Sequence, residues 1–382
     1  MEKFPLVKCP FCFKELTYNN AVFRCTTGEK AVDKYLKEYQ AIACGNTAFE
    51  REDFRFIDPA FLRKNQIETD KDGYIVNVED PDPSATYALE QRLCPYCHNK
   101  LIRSFGKKKT KYIAVVGVTN CGKTTFLSAV NASLRNRSWT WESLDYNQNM
   151  PLEDVTDMYV NNSDSAKVAT REIQGPYYYE LECSSADKKT TYDNHIVFLD
   201  VPGEFYSNPD KLSTALKLYL SAVDGIIFII NAAEGIDSPN NGKIVNANNI
   251  LQAFGQQGID GKKKVAIVFN KLDLVTGHLG ITQMSDFLAE STGDAVDTAL
   301  VNQRSERIIS LMLAEGQVQN PTQNRLSVYM NRIQQAFGSS CKMFATSLVL
   351  EDKEAEKFHF RPQGAETPFL WLLSEIGAFP KK

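Results

Sequence analysis

Gly117-Val118-Thr119-Asn120-Cys121-Gly122-Lys123-Thr124 fits the pattern G-x-x-x-x-G-K-[ST], and a second threonine, Thr125, follows it. An apolar run, Ile113 to Val116, precedes the stretch, and a helix-forming run, Phe126 to Leu134, comes after it. A glycine-rich turn between a strand and a helix lets successive backbone N–H groups point inward at phosphate oxygens. The new helix adds its positive N-terminal dipole. Gly117, Thr119, Asn120, Cys121 and Gly122 would form the cradle, and Lys123 a mobile cation for the β- and γ-phosphates. Thr124 offers a hydroxyl to Mg²⁺, with Thr125 beside it. The alternative is an ordinary glycine-rich turn, and the flanking strand and helix argue against it.

Further along, short apolar runs alternate with helix-like stretches: Ile196 to Leu199, Gly225 to Ile230, Val265 to Phe269 and Met343 to Ala345. Continuous apolarity suits strands covered on both faces. Tyr177 to Cys183 is more mixed and follows Pro176, which predicts an edge strand. It would pair antiparallel with the Ile196 strand through the polar turn Ser184 to Asn194. The Val265 strand is expected next to last and the Met343 strand last. The whole predicts an α/β domain with a doubly wound, mostly parallel sheet, whose ligand lies at the carboxyl ends of the strands.

Two of those ends carry further chemistry. Asp200-Val201-Pro202-Gly203 closes the Ile196 strand; Asp200 would hold Mg²⁺ through water, and the Gly203 N–H would meet the γ-phosphate. Asn270-Lys271-Leu272-Asp273 closes the Val265 strand. A carboxylate accepts two neighbouring hydrogen bonds. Guanine offers such a pair in its ring N1–H and exocyclic amine, and adenine does not, so Asp273 would select guanine. Asn270 would hold the loop, and the Lys271 stem would lie across the base. Ser347 and the Leu348 backbone, in Ala345-Thr346-Ser347-Leu348, would back the base or serve only as strand-end turn chemistry.

The segment 1–106 differs in character. Cys9-Pro10-Phe11-Cys12 and Cys94-Pro95-Tyr96-Cys97 are near copies, each a C-P-x-C-x-x-x-L knuckle that aims two thiolates at one metal. Cys9, Cys12, Cys94 and Cys97 together make the tetrahedral set preferred by structural Zn²⁺. This predicts a small N-terminal zinc ribbon with a long insertion between its knuckles. Cys25 and Cys44 are read as buried thiols, or as further ligands. Cys94 to His98 also spells a haem-attachment pattern, which the twin knuckle argues against. Residues 107–382 form the phosphate-loop domain, with helical insertions at about 131–169 and 274–340; Asp294 to Leu313 and Leu326 to Phe337 look helical.

The chain has 43 basic and 47 acidic side chains, a net charge of −4, which argues against nucleic acid and membrane surfaces as partners. Lys107 to Lys111 is read as a solvated linker. The longest apolar run, around Ile226 to Ile230, is far short of a membrane span. Met1-Glu2-Lys3-Phe4-Pro5 lacks the apolar region of a signal peptide. Nine cysteines, four of them in Cys-x-x-Cys pairs, suggest reduced or metal-bound thiolates. A cytoplasmic protein is expected.

These motifs, in this order, resemble the Ras-like, translation-factor-related class of P-loop GTPases over roughly residues 112–273 and 343–348. The resemblance implies a GTP/GDP switch that hydrolyses GTP, using Lys123 and Gly203 as above. It also implies a Mg²⁺-capping threonine before the Tyr177 strand, for which Thr170 is preferred to Thr156. Glu204 stands where Ras-like proteins carry the water-orienting glutamine, so hydrolysis is expected to be slow or to need an activating partner. Asn120 stands where potassium-activated members bind K⁺; a plain loop-stabilising asparagine is the alternative. A ribbon ahead of a GTPase, with the run Thr367 to Leu373, is similar to the zinc-ribbon double-GTPase proteins of bacterial conflict systems. That likeness implies a defence or signalling switch working with a protein effector. A non-catalytic GTP-binding adaptor and a nucleic-acid-associated GTPase are the rival readings.

Overall fold

The chain divides into two units, Met1–Thr110 and Lys111–Lys382. The computed structural model describes residues 4–18, 22–25, 55–57, 68–69, 75–77, 89–97, 99–102, 104–118, 120–135, 137–144, 152–161, 176–185, 187–200, 222–233, 251, 263–276, 281, 288, 295–313, 330–352 and 357–381.

In the first unit each cysteine knuckle is the tip of a β-hairpin. β1 (Val7–Lys8) and β2 (Glu15–Leu16) pair antiparallel around the first knuckle, with Val7 opposite Leu16. β3 (Val22–Cys25), β4 (Arg55–Ile57), β5 (Glu68–Thr69) and β6 (Ile75–Asn77) lie between the knuckles. β7 (Leu89–Leu93) and β8 (Lys100–Leu101) pair antiparallel around the second, with Leu93 opposite Lys100. The sheet order is β4-β3-β7-β8, and β5 pairs with β6.

The second unit is built on an eight-stranded sheet. Its elements in chain order are β9 (Lys109–Val116), α1 (Lys123–Leu134), β10 (Thr140–Ser143), α2 (Leu152–Val160), β11 (Tyr177–Ser184), β12 (Thr191–Asp200), β13 (Gly225–Asn231) and β14 (Lys264–Asn270). α3 (Thr298–Leu313), a helical stretch at 330–337, β15 (Cys341–Asp352), β16 (Lys357–Gln363) and α4 (Glu366–Glu375) complete it. The strand order is β10-β11-β12-β9-β13-β14-β15-β16. β9, β13, β14 and β15 are mutually parallel, whereas β10-β11, β11-β12 and β15-β16 are antiparallel. The apolar runs predicted as doubly covered strands behave so: every residue of β13 is buried, as are the last six of β14. α4 packs on β13 and β14. A Cβ on Gly225 would lie 2.8 Å from Leu372 Cδ1, so the strand start is bare to let the helix close in.

Two sequence expectations are corrected. β11 pairs with β12 as foreseen, Tyr179 opposite Ile196, but it is not an edge strand, because β10 lies outside it. Four residues, Thr-Trp-Glu-Ser, are too short to announce a strand. What fixes them is Trp141, stacked on Tyr179 with ring centroids 4.4 Å apart and edge-on to Phe369 of α4. Nor is the Met343 strand the last, since β16 turns back along it. The alternation in Lys357-Phe358-His359-Phe360-Arg361 is an edge-strand pattern that the apolar-run criterion passes over. Of the helices expected beyond the guanine motif, α3 covers Thr298–Leu313, and the second is described only at 330–337. Among the described residues no helix is long and apolar enough to cross a membrane.

Candidate functional site

The loop from Gly117 to Thr124 joins β9 to α1, at the carboxyl end of a central parallel strand. Both of its glycines are required by their surroundings. A Cβ on Gly117 would sit 2.5 Å from Cys121 Sγ and 2.6 Å from the Ile229 carbonyl oxygen. Gly122 has φ +93°, and a Cβ there would lie 2.4 Å from Asn270 Nδ2. Asn120 also takes the left-handed conformation, φ 66°, with its side chain exposed. α1 starts on Gly122 with no side-chain cap and no acidic residue in its first turn. Its free N–H groups and dipole are thus left facing the loop. Lys123 Nζ donates to the Gly117 carbonyl at 3.0 Å, which draws the ammonium across the loop. Thr125 points elsewhere, with its hydroxyl 3.0 Å from that of Tyr159 on α2.

Asn270, expected on the base side, is locked to this loop. Asn270, 2% exposed, donates through Nδ2 to the Cys121 carbonyl at 2.9 Å. Its Oδ1 accepts from the Lys271 N–H at 2.8 Å and the Thr346 hydroxyl at 3.1 Å. Lys271 is left-handed, φ 60°, which turns the chain into the 3₁₀ segment Leu272–Val275 carrying Asp273. Asp273 Oδ1 accepts from the Ser347 hydroxyl at 2.8 Å. Ser347 and the buried Leu348 lie within β15, where a register shift between Ser347 and Val349 interrupts the pairing with β16. Such a bulge re-aims side chains beside a site. Lys123 is thus tied to Gly117, Asn270 to the Cys121 carbonyl and to Thr346, and Asp273 to Ser347, the chain neighbour of Thr346.

Asp200 ends β12, but its side chain, Thr119, Thr170, Gly203 and Glu204 lie outside the described residues. Thr156 is fully buried in α2, where it donates to the Leu152 carbonyl at 2.7 Å and accepts from Asn131 Nδ2 at 3.1 Å. Its hydroxyl is thus consumed inside the helix pair. Three contributors escaped the sequence reading: Thr346, Asn131 and Tyr159. Each acts through a partner distant in sequence, and no local pattern marks it.

In the first unit the two knuckles meet. Cys9 Sγ lies 3.7 Å from Cys97 Sγ, and Cys12 Sγ 3.8 Å from Cys94 Sγ; all four sulfurs lie within 4.8 Å of one another. None of the four is in a disulfide. Tetrahedral Zn²⁺ with Zn–S of about 2.3 Å needs sulfurs about 3.8 Å apart, so the set fits that ion. The knuckles repeat each other in detail. The Cys9 N–H donates to the Lys14 carbonyl at 2.9 Å, and the Cys94 N–H to that of Asn99 at 2.9 Å. The Phe11 and Tyr96 N–H groups point at Cys9 and Cys94 sulfur, 3.4 and 3.5 Å away, and Asn99 Nδ2 reaches Cys97 sulfur at 3.2 Å. Burial first, and the neighbouring thiols next, push the Cys9 thiol well above its ordinary range. His98 and Cys44 lie outside the described residues.

A mostly parallel sheet with this loop after β9 and Asn270–Asp273 at the end of β14 defines a P-loop GTPase fold. Residues 111–336 match the family model described as Double-GTPase 2, and the chain belongs to that family of GTP-binding proteins. No curated protein matches the chain. Among solved structures, that of Sup35 complexed with GMPPNP is similar at 14% identity and a TM-score of 0.28. The match covers 63% of this chain and only 37% of that one.

Proposed function

We propose that the chain is a Mg²⁺-dependent GTPase that hydrolyses GTP to GDP and phosphate and uses the two nucleotide states as a switch. The observation that carries this reading is the hydrogen bond from Asn270 Nδ2 to the Cys121 carbonyl. It fixes a guanine-selecting loop and a phosphate-binding loop to one frame, which a simple strand-to-helix turn would not need. Lys123 and the first N–H groups of α1 would hold the phosphates, and Asp273 the base edge. Thr124, Asp200 and Thr170 would hold Mg²⁺, which when bound neutralises charge on the β- and γ-oxygens. The Gly203 N–H would sense the γ-phosphate, and Glu204 would orient the attacking water. A carboxylate there repels the γ-phosphate, so turnover is slow until K⁺ at Asn120 or a partner offsets the charge. The exposed Asn120 at the loop rim supports the K⁺ role.

The ribbon, residues 1–106, would carry one Zn²⁺ on Cys9, Cys12, Cys94 and Cys97 and dock a protein effector. Residues 107–382 would form the GTPase proper. The setting favoured by the ribbon-plus-GTPase arrangement is cytoplasmic bacterial defence or signalling. Glu204 favours a second reading, a non-catalytic adaptor that retains GTP.

The test compares GTP and ATP turnover in K⁺ and Na⁺ buffers, for the parent and Lys123→Ala. GTP hydrolysis that is faster in K⁺ and lost in Lys123→Ala is expected. Equal use of ATP would remove the guanine assignment, and equal rates in K⁺ and Na⁺ the Asn120 role. GTP retained without turnover would replace hydrolysis by the adaptor reading.

A further inference from the structure

We propose that Tyr159 is a positioning residue of the phosphate loop, tying the insertion after α1 to the Mg²⁺ side of the site through Thr125. The inference rests on the GTPase reading above.

α1 begins without a side-chain cap or an acidic first turn, so its leading N–H groups are reserved for a ligand. Order in that turn must then come from the side. One lateral tie is Asn270 on the Cys121 carbonyl; the other is the 3.0 Å hydrogen bond between the Thr125 and Tyr159 hydroxyls. Thr125 follows Thr124 by one residue, about 100° around the helix. Pinning Thr125 therefore sets the rotation of the first turn and the direction of the Thr124 hydroxyl.

α2 runs antiparallel along α1 with contacts in register. Arg135 pairs with Glu153 and Asp157, Asn131 with Thr156, and Thr125 with Tyr159. Tyr159 is the contact nearest the phosphate end. Its ring lies 5.2 Å from that of Phe360 on β16, and burial raises its phenol pKa above the ordinary value, so it stays protonated at working pH. The chain leaves α2 at Val160, beside this contact, and the next segment up to β11 contains Thr170. The insertion thus delivers the chain to the phosphate end of α1.

The test measures GTP binding against Mg²⁺ concentration in the full chain, for the parent, Tyr159→Phe, Thr125→Val and the double variant. Tyr159→Phe keeps the ring on Phe360 and removes only the hydroxyl; Thr125→Val provides the same deletion from the other side if one variant folds poorly. The Mg²⁺ concentration for half-maximal binding should rise about fivefold in each single variant, the loss of one net hydrogen bond. It should rise no further in the double variant, because both remove the same contact. Glu153→Gln, near the start of α2 and away from Tyr159, should leave it unchanged. An unchanged Mg²⁺ requirement in Tyr159→Phe, whatever its melting temperature, overturns the proposal, as does additive loss in the double variant. A parent that binds no GTP at any Mg²⁺ concentration overturns the GTPase reading itself, and Tyr159's role with it. That failure shows in the parent alone.

Discussion

Ser347, within β15, donates its hydroxyl hydrogen to Asp273 Oδ1 across 2.8 Å, joining two segments 74 residues apart. The bond uses one of the roughly four acceptor positions of a carboxylate, so both oxygens keep capacity for the N1–H and amine of guanine. It also limits the rotation of the carboxylate, so on the proposed reading the base would meet a prepared edge.

Asp273→Asn exchanges an acceptor for a donor opposite the guanine amine. GTP affinity should fall about 100-fold or more, while xanthosine triphosphate, with a carbonyl in place of the amine, should bind better than to the parent. Ser347→Ala keeps the carboxylate but frees it, and should weaken GTP binding about fivefold. Equilibrium titration with both nucleotides reads each effect, and an Asp273→Asn variant that still prefers GTP would refute the assignment.

Gly122→Ala places a methyl 2.4 Å from Asn270 Nδ2 on a backbone at φ +93°. Left-handed strain costs about 1–2 kcal/mol, and displacing the Asn270 amide breaks its bond to Cys121 as well. Lower thermal stability together with loss of GTP binding is expected. A variant with parental affinity would show that the two loops are not held as one frame.

The loop at 117–124 and the segment at 270–273 are legible in the sequence because each is a contiguous run whose order is the pattern. The cysteine knuckles are legible because they repeat. Thr346, Tyr159 and Asn131 are not, since their partners lie 76, 34 and 10 or more residues away and their types are common in any core. β10 escaped for a similar reason. Trp141 makes it a strand only once Tyr179 and Phe369 have closed around its ring.

Asn131 is the hub of the helix pair, donating to the Thr156 hydroxyl and accepting from Trp141 Nε1 at 3.0 Å. Asn131→Ala strands a buried indole N–H and should cost about 2–3 kcal/mol. That corresponds to roughly 2–4 °C of melting temperature per kcal/mol in a domain of this size. Trp141→Phe on the same background removes the stranded donor and should worsen stability by less than Trp141→Phe does alone. Full additivity in the thermal melts would deny the coupling.

The four knuckle thiols predict one zinc per chain. Cys12→Ser or Cys94→Ser should lower the bound metal to a small fraction, measured by elemental analysis of the purified protein. Structural zinc contributes about 10–16 kcal/mol in small domains, so chelation should also unfold the hairpins, seen as rapid hydrogen exchange in β1, β2, β7 and β8. Unchanged exchange after complete chelation would make the metal dispensable to the ribbon.

The pairing of β3 with β7 brings Cys25 opposite Leu89, so the two positions that bracket residues 26–88 are neighbours, and β4, within that stretch, adds to β3 in the same sheet. Loop-closure cost grows only with the logarithm of length, and each knuckle completes its own backbone bonds locally. The ribbon sheet therefore holds the two ends of this stretch side by side and keeps one strand of it, β4. Descendants of this chain can lengthen or trim the stretches on either side of β4 while inheriting the same four-cysteine clasp.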